Sequence, residues 1–259
     1  MGDERRRNGQ NAAAMLVKGQ ARTWLLGLAL AGCLAMVACG GEDGDGGEQS
    51  IETLDVQELL DSAVIQFTEL ESFHFALDFG GDTSPLEQLS IDMEKIEGDV
   101  IIPDKLKAAV KAKVRSMGGI NVNVSLVGVG EEAWVTNPFD PSVWLELESG
   151  NPLNGLFNPS DGVAAVIRGA ADPAVTGEEV LEGVDTWKVT GTIDSGDLTA
   201  FLDTAESGYP VLGTIWIGKA DNIIYRIHLI GQLTAAEPVD IVRNLTFSSF
   251  NDVEPIEPP

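Results

Sequence analysis

The sequence has little of what most catalytic and metal centres are built from. Its 259 residues include only two His and two Cys, and both Cys lie within the first 39 positions. This excludes a disulfide scaffold and leaves no spaced Cys/His set that could hold zinc. The sequence also lacks a Gly-rich phosphate loop, a nucleophile elbow and a zinc-binding helix pair. We therefore expect no enzyme activity, no cofactor and no bound metal.

Basic residues are scarce as well. The chain has 16 Lys and Arg against 41 Asp and Glu, which gives a formal net charge of -25. Phosphate binding requires a basic face, so nucleic acid is excluded as a partner. Apolar residues make up 44% of the chain and charged residues 22%, close to the averages of globular domains. This composition predicts one folded domain rather than a disordered chain.

The N-terminus has the pattern of a secretory signal. Five of the basic residues fall in residues 1–23, and an uncharged, mostly apolar run follows from Trp24 to Gly41. A basic start before a short apolar segment is typical of exported proteins. An uncleaved membrane anchor is the alternative interpretation, and Met15 offers a second start position.

Each Cys ends a segment of small and apolar residues that looks like a bacterial lipidation site. The two segments are Leu30 to Cys33 and Met36 to Cys39. Cys39 is favoured because a Gly-rich, acidic stretch follows it at once, whereas the chain stays apolar after Cys33. A thiol acylated at either position would anchor the exported chain to a membrane.

These features predict three segments. Residues 1–38 form a signal peptide, residues 39–52 a flexible acidic tether, and residues 53–259 a single domain. Removing the signal leaves 16 - 5 = 11 basic and 41 - 2 = 39 acidic residues, a net charge of -28. Anionic headgroups should repel this body, so we expect the lipid anchor to hold it. The expected location is the outer face of the cell membrane, or an outer membrane where one exists.

The domain begins with an amphipathic helix and continues mostly in strands. From Thr53, apolar residues recur at steps of three and four, and Asp55 can cap the helix. The helix face consists of Val56, Leu59, Leu60, Ala63, Val64, Phe67 and Leu70. Strands are predicted at 72–79, 103–115, 121–129, 132–136, 142–147, 185–193, 213–218, 223–230 and 241–250, with a hairpin turn at Asp221-Asn222. Short helices are predicted after Ser160 and after Asp194 or Ser195. The sum is an α+β fold with segregated helices.

The segment at 103–115 alternates most clearly. Its odd positions are mainly basic, and its even positions are apolar but small. The basic face could meet an anionic partner, although a solvated outer face is the favoured interpretation. The apolar face lacks the large side chains of a tightly packed core and so leaves space beside it that another group could occupy. Its residues are Leu106, Ala108, Val110, Ala112 and Val114.

Six stretches stand out by their order along the chain. They are SFHFALDFGG (72–81), EGDVIIPDKLKAAVKA (97–112), VGVGEEAWV (127–135), GEEVLEGVDTWKVTGTID (177–194), TIWIGKADNIIYRIHL (214–229) and LTFSSFNDVEPIEPP (245–259). In this order they resemble the LppX/LprA/LprF/LprG lipoprotein family. The resemblance implies a LolA-like fold, in which a strongly curved antiparallel sheet forms a half-barrel and helices close its concave side. It further implies an apolar cavity for the acyl chains of lipids or glycolipids.

An acyl chain forms no hydrogen bonds, so its site should be a space lined by apolar side chains. The candidate lining extends from the strand at 103–115 to the next strand and to the two short helices. The additional candidates are Val122, Val124, Leu126, Val163, Val166, Ile167, Leu198, Phe201 and Leu202. A filled core without a cavity is the structural alternative.

The leading interpretation is a membrane-anchored lipoprotein that carries a lipid or glycolipid in the cell envelope. The alternatives are an envelope sensor or regulatory lipoprotein, and a structural surface lipoprotein with a filled core. His74 and His228 lie in strands, where we interpret both as surface residues rather than catalytic bases. No sequence feature identifies a protein partner.

Overall fold

The computed structural model describes residues 54–80, 84–86, 91–148, 150, 162–199 and 205–259. Residues 48–259 form one compact unit. The predicted signal, the tether and both cysteines lie outside the described residues. So do Ser160, Phe201 and Leu202.

Strands dominate the described part of the chain. The described residues include two α-helices, α1 (Val56–Thr68) and α2 (Val163–Arg168), and 3-10 turns at Arg115–Met117 and Ser195–Leu198. The strands are β1 (Ser72–Gly80), β2 (Ser84–Leu86), β3 (Ile91–Ile101), β4 (Lys105–Val114), β5 (Ile120–Val129), β6 (Glu132–Asn137), β7 (Asp140–Glu146), β8 (Ala171–Leu181), β9 (Val184–Asp194), β10 (Pro210–Gly218), β11 (Ile224–Ile230) and β12 (Val242–Ser248).

Helix α1 begins where its sequence predicts. The Asp55 carboxylate accepts hydrogen bonds from the backbone N–H groups of Gln57, at 2.9 Å, and Glu58, at 3.3 Å. These bonds satisfy two of the donors that a helix start leaves free. Six of the seven residues of the predicted apolar face are buried, and Phe67 is completely inaccessible to solvent. The helix therefore lays one apolar face against the sheet.

The sheet is antiparallel and open. Its strand order is β7-β6-β5-β4-β3-β1-β12-β11-β10-β9-β8, and β2 pairs with β3 off this path. The first and last long strands, β1 and β12, pair at its centre, with Phe75 opposite Phe247. The two ends of the path, β7 and β8, do not pair with each other, so the curved sheet is a half-barrel. The predicted α+β half-barrel fold is confirmed.

Asn251 fixes the end of the chain to the start of the sheet. Its side-chain oxygen accepts a hydrogen bond from the backbone N–H of Glu71 at 2.7 Å, and its own N–H donates to the carbonyl of Ser72 at 2.8 Å. Its φ of 57° lies in the left-handed region, which Asn tolerates better than most residues. The residues after β12 therefore close onto the beginning of β1.

Three strands and one helix differ from the sequence-based prediction. Strand β2 was not predicted, because its three residues are too few to show an alternation. Strands β3 and β8 were not predicted either; their ladders contain register shifts, which disrupt the alternation of apolar residues along the chain. The helix expected after Asp194 is a 3-10 turn in its described part, with the Asp194 carboxylate accepting from the N–H of Gly196 at 2.9 Å. Within the described part of the chain, no helix has the length and apolar character needed to cross a bilayer.

Candidate functional site

The apolar faces of β4 and β5 lie side by side on the inner face of the sheet. The facing pairs, ordered toward the β4–β5 turn, are Ala108 with Leu126, Val110 with Val124, and Ala112 with Val122. Their side chains carry no hydrogen-bonding groups. The predicted alternation of β4 is correct, since Lys107, Lys111 and Lys113 are exposed on the other face. One continuous apolar strip therefore runs along both strands.

One end of this strip is packed. Leu106, Ala108 and Leu126 belong to the main hydrophobic core, and Val110 packs against that core. The other end is less covered. Val114, Val122 and Val124 are partly exposed, and the buried Ala112 is not part of the main core. The strip thus passes from a filled core to accessible apolar surface as it approaches the β4–β5 turn.

The predicted roof residues fall in the same core. Val163, Val166 and Ile167 of α2 and Leu198 of the second 3-10 turn are all buried within it, together with α1. Phe201 and Leu202 lie outside the described residues. The structure therefore brings together the roof residues that it describes and the packed end of β4 and β5. It does not bring Ala112, Val114, Val122 and Val124 into that cluster.

An aromatic group at the centre of the core was not among the candidate lining residues. The ring of Phe67 lies 5.4 Å from that of Phe73 and 5.4 Å from that of Phe247, measured between centroids. The sequence placed Phe67 on the apolar face of the first helix, but the contact of Phe67 with Phe247 joins residues 180 positions apart. Pairing of β1 with β12 creates that contact, and no local pattern could have revealed it.

The other half of the sheet also supplies inner-face residues that the candidate list omitted. The buried side chains there include Trp187, Val189, Val211, Ile215, Ile227 and Leu229. The alternation at 223–230 was visible in the sequence. That alternation could have identified Ile227 and Leu229 as lining candidates, if strands with larger apolar side chains had also been considered.

A pocket of about 230 Å³ lies elsewhere, where the β8–β9 turn meets the ends of β11 and β12. It is lined by Leu181, Glu182, Val184, Tyr225, Arg226, Thr246, Phe247, Ser248, Ser249 and Phe250. None of the predicted lining residues borders it. Its volume is below the range of about 300–1,000 Å³ typical of small-molecule sites.

The outer face of the sheet buries one Trp among charged groups. The indole N–H of Trp216 donates to a carboxylate oxygen of Glu179 at 2.8 Å. Lys188 and Arg226, from the two neighbouring strands, place their cationic groups 5.2 and 5.4 Å from the centre of its ring. Burial, together with these two cations, lowers the pKa of the adjacent His228 below its usual value. This cluster is part of the packing of the outer face.

A buried ion pair holds the segment between β11 and β12. Arg243 pairs with Glu237, and both residues are more than nine-tenths inaccessible to solvent. Arg243 also donates to the carbonyl of Gly231 at 3.0 Å, and Glu237 accepts from the N–H of Leu233 at 2.7 Å. These bonds satisfy charges that would be costly to bury alone. They fasten the connection between β11 and β12 to the sheet.

The His74–Asp99 pair lies on the outer face of the sheet. Nδ1 of His74 lies 2.8 Å from the carboxylate of Asp99, but both side chains are substantially exposed on the outer face. Among the residues that the structure describes, no three His, Cys, Asp or Glu side chains are grouped to hold a metal ion. The feature that stands out chemically is the apolar strip of β4 and β5.

Comparisons with known proteins identify chains with similar sequences. The LppX_LprAFG lipoprotein family matches residues 55–252. Lipoprotein LprA of Mycobacterium tuberculosis is 25% identical over 232 residues, which cover 85% of this chain and 90% of LprA. The lipoarabinomannan carrier protein LprG of the same species is 22% identical over 172 residues, covering 65% of this chain and 69% of LprG.

A solved structure shares the fold. The crystal structure of LprF from Mycobacterium bovis superimposes with a TM-score of 0.60 at 18% identity, covering 78% of this chain and 96% of LprF. At that identity the similarity establishes the architecture and not the ligand.

Proposed function

The chain belongs to the LppX/LprAFG lipoprotein family, and we propose that it binds the acyl chains of a lipid or glycolipid and carries them in the cell envelope. The observation that carries this proposal is the apolar strip of β4 and β5. Most of its side chains are small, and the half nearest the β4–β5 turn is not filled by the main core. LprG, named as a lipoarabinomannan carrier, supports a lipid or glycolipid as the ligand.

We assign the acyl chain to the less covered half of the strip. Leu106, Ala108 and Leu126 already contact the core, so a ligand at that end would have to displace packed side chains. Val114, Val122 and Val124 remain partly exposed, and covering them would remove apolar surface from water. Each Å² so covered contributes about 25 cal/mol. The ligand would enter near the β4–β5 turn and extend toward the core.

The leader supports export and anchoring. The segment before Cys39 has the small residues of a lipidation site, and the acidic stretch behind it suits a spacer between membrane and domain. A covalent anchor at Cys39, with Cys33 as the alternative, would hold the carrier at a membrane surface.

A filled-core lipoprotein is the second candidate. It is favoured by the packing of Leu106, Ala108, Leu126 and the α2 residues into one continuous core. The two candidates differ in what lies over Val124 when no lipid is bound: empty space in a carrier, side chains in a filled core.

Replacing Val124 with Trp separates the two candidates. Val124 lies opposite Val110, outside the main core. In a carrier the larger side chain should occupy the space of the acyl chain, so binding of a fluorescent fatty-acyl probe should fall at least tenfold while the domain stays folded. In a filled core the change should overpack the site and lower the free energy of unfolding by about 1–3 kcal/mol.

Lys111→Ala is the matched control, because Lys111 lies on the same strand pair with its side chain exposed on the opposite face. It should change neither probe binding nor stability. Val110→Trp extends the series toward the core, where we expect a loss of stability in addition to a loss of binding. A Val124→Trp variant that folds normally and binds the probe as tightly as the parent would contradict the assignment.

A further inference from the structure

One hairpin of a strongly acidic domain contains nearly half of its basic residues and no acidic residue. Residues 39–259 contain 11 basic and 39 acidic side chains, a net charge of 11 - 39 = -28. The hairpin of β4 and β5, residues 105–129, contains five of those basic side chains and no acidic one. Local charge decides what approaches a protein surface, because salt screens interactions beyond about 8 Å at physiological ionic strength. The net charge of the domain therefore does not describe this hairpin.

The lysines near the turn of this hairpin are exposed. Lys111 and Lys113 point to the outer face of β4, opposite the uncharged Asn123 and Asn121 of β5. On the other side, β3 places Lys95 opposite Lys111 and Asp92 opposite Lys113. Arg115 follows at the turn, where its side chain also pairs with Asp92. The hairpin therefore supplies three cations around Asp92 to the outer face near the turn, and this face is open to solvent.

The turn itself presents apolar side chains to solvent. We define the hairpin tip as residues 115–120. Within it, Met117 is 45% exposed and Ile120 is 49% exposed. Gly118 and Gly119 have φ values of 79° and 78°, a conformation that glycine adopts without strain and that lets the chain reverse here. Two large apolar side chains at an exposed turn, next to several cations, are typical of segments that enter a membrane interface.

A third exposed apolar residue lies at the same end of the sheet. Val135 of β6 is opposite Leu126 of β5, and the strands are antiparallel. The β6–β7 turn therefore lies at the same end as the hairpin tip. Phe139 occupies that turn and is 70% exposed.

The opposite end of these strands has acidic turns. The β3–β4 and β5–β6 turns carry Asp104 and Glu131, and the backbone joins these turns through the N–H of Gly130 and the carbonyl of Asp104 at 2.9 Å. Lys105 and Lys107 of β4 lie beside these acids. Among the described residues, the large exposed apolar side chains of the hairpin lie at its tip and not at this end.

We propose that the hairpin tip docks on the surface of an anionic phospholipid bilayer. Lys111 and Lys113 face the headgroups, and Met117 and Ile120 enter the boundary between headgroups and acyl chains. The partly exposed Val114, Val122 and Val124 lie near the same turn, so docking brings the apolar strip to the bilayer. The inference goes beyond the proposed lipid binding, because the tip keeps its charge and exposure even if the core is filled.

The predicted anchor is compatible with this contact. About 15 residues separate Cys39 from the start of the described domain, and an extended chain of that length spans up to about 50 Å. The anchor alone would leave the domain free to turn in any direction. Docking of the hairpin tip selects one orientation, and the strong repulsion from the acidic remainder of the domain disfavours the others.

The test measures binding of the mature chain to vesicles. The chain from residue 39 is prepared with Cys39→Ser, so that it carries no lipid and no other thiol, and cooperative unfolding verifies that it is folded. Met117→Cys then accepts an environment-sensitive dye at the hairpin tip, and Glu131→Cys places the same dye at the acidic end. Vesicles contain phosphatidylcholine alone or equal parts of phosphatidylcholine and phosphatidylglycerol.

We expect the dye at position 117 to move to a less polar environment with the anionic vesicles only, and the dye at position 131 to remain in water. Without dye, Lys111→Gln with Lys113→Gln should weaken vesicle binding about 25-fold, at roughly fivefold per lysine. Lys105→Gln with Lys107→Gln removes equal charge from the same face at the other end of β4 and should weaken binding less than threefold.

Equal binding to both vesicle types, or an equal loss from both lysine pairs, would overturn the proposal. Absence of vesicle binding, as expected if the tip contacts a protein instead, would overturn it too. Acyl-probe binding is measured separately in solution without vesicles, so failure of membrane docking and failure of lipid binding give different results.

Discussion

The substitution Phe67→Ala tests how α1 is held against the sheet. Phe67 is completely buried, and its ring contacts those of Phe73 and Phe247 at centroid distances of 5.4 Å. Phe73 and Phe247 also contact each other at 5.5 Å. The three rings therefore connect α1 to the two strands that pair at the centre of the sheet, and removal of one ring leaves the other two with a gap.

The magnitude follows from these contacts. Returning a buried Phe side chain to water costs about 1.5–3 kcal/mol, and each lost aromatic pair costs about 0.5–1.5 kcal/mol more. With two pairs lost, we expect the free energy of unfolding to fall by about 4 kcal/mol. That value lies within the range of about 3–5 kcal/mol measured for other buried Phe truncations.

Chemical denaturation followed by circular dichroism measures this change. Ile65→Ala is the matched control, because Ile65 lies on the same helix but is 54% exposed. Alanine also has the higher helix propensity, so the control should change stability by less than about 0.5 kcal/mol. A loss below about 1 kcal/mol for Phe67→Ala would show that the aromatic group does not hold the helix, and the proposed packing would be wrong.

Three further predictions concern other parts of the chain. Cys39→Ser should leave an unprocessed precursor on a gel of membrane fractions; if Cys33→Ser blocks processing instead, the site assignment is wrong. The lowered pKa of His228 means that the folded chain resists protonation there. The free energy of unfolding should therefore fall as the pH drops below about 6.5, where the unfolded chain takes up a proton at His228 and the folded chain does not. In denaturation experiments the His228→Gln variant should show a smaller fall over the same pH range. A Cβ atom on Gly98 would lie 2.1 Å from a backbone oxygen of the neighbouring strand, whereas one on Gly177 would meet nothing within 4 Å. Gly98→Ala should therefore destabilise by about 1–3 kcal/mol or more and Gly177→Ala by much less, and equal effects would refute the close approach of β3 and β4.

The elements that depend on local patterns could be predicted from the sequence. Helix α1 was found from its apolar face and from the cap at Asp55, and β4 from its alternation of Lys with small apolar residues. The hairpin turn at Asp221-Asn222 was found from its residue types, and Asn222 has the positive φ, 56°, that such a turn requires. Each signal arises from residues that are close in sequence, where backbone geometry fixes which side chains share a face.

The features that depend on distant pairing could not be predicted. Register shifts in β3 and β8 hide their alternation, and the contact of Phe247 with Phe67 exists only because the last strand pairs with the first. The small side chains of β4 and β5 correctly marked one face. Their division into a packed end and a less covered end depends on where α1 and α2 lie, which no single strand encodes.

The charge at the surface also depends on strand pairing and could not be predicted from the composition. A net charge of -28 for residues 39–259 predicts repulsion from anionic membranes. Strand pairing nevertheless gathers Lys111 and Lys113 on one face, beside the uncharged Asn123 and Asn121 of β5 and with Asp92 of β3 opposite Lys113. The net charge of a chain therefore does not determine the local charge of each part of its surface.

Native mass spectrometry of the mature chain, purified gently from its own membrane, tests the central claim most directly. A carrier should retain a lipid or glycolipid through purification, so the spectrum should show the mass of the chain plus a bound lipid that organic extraction removes. The Val124→Trp variant should lose that adduct while remaining folded. A spectrum showing only the mass of the chain, with no adduct that organic extraction removes, for the parent as well as the variant, would contradict lipid binding and support a filled core.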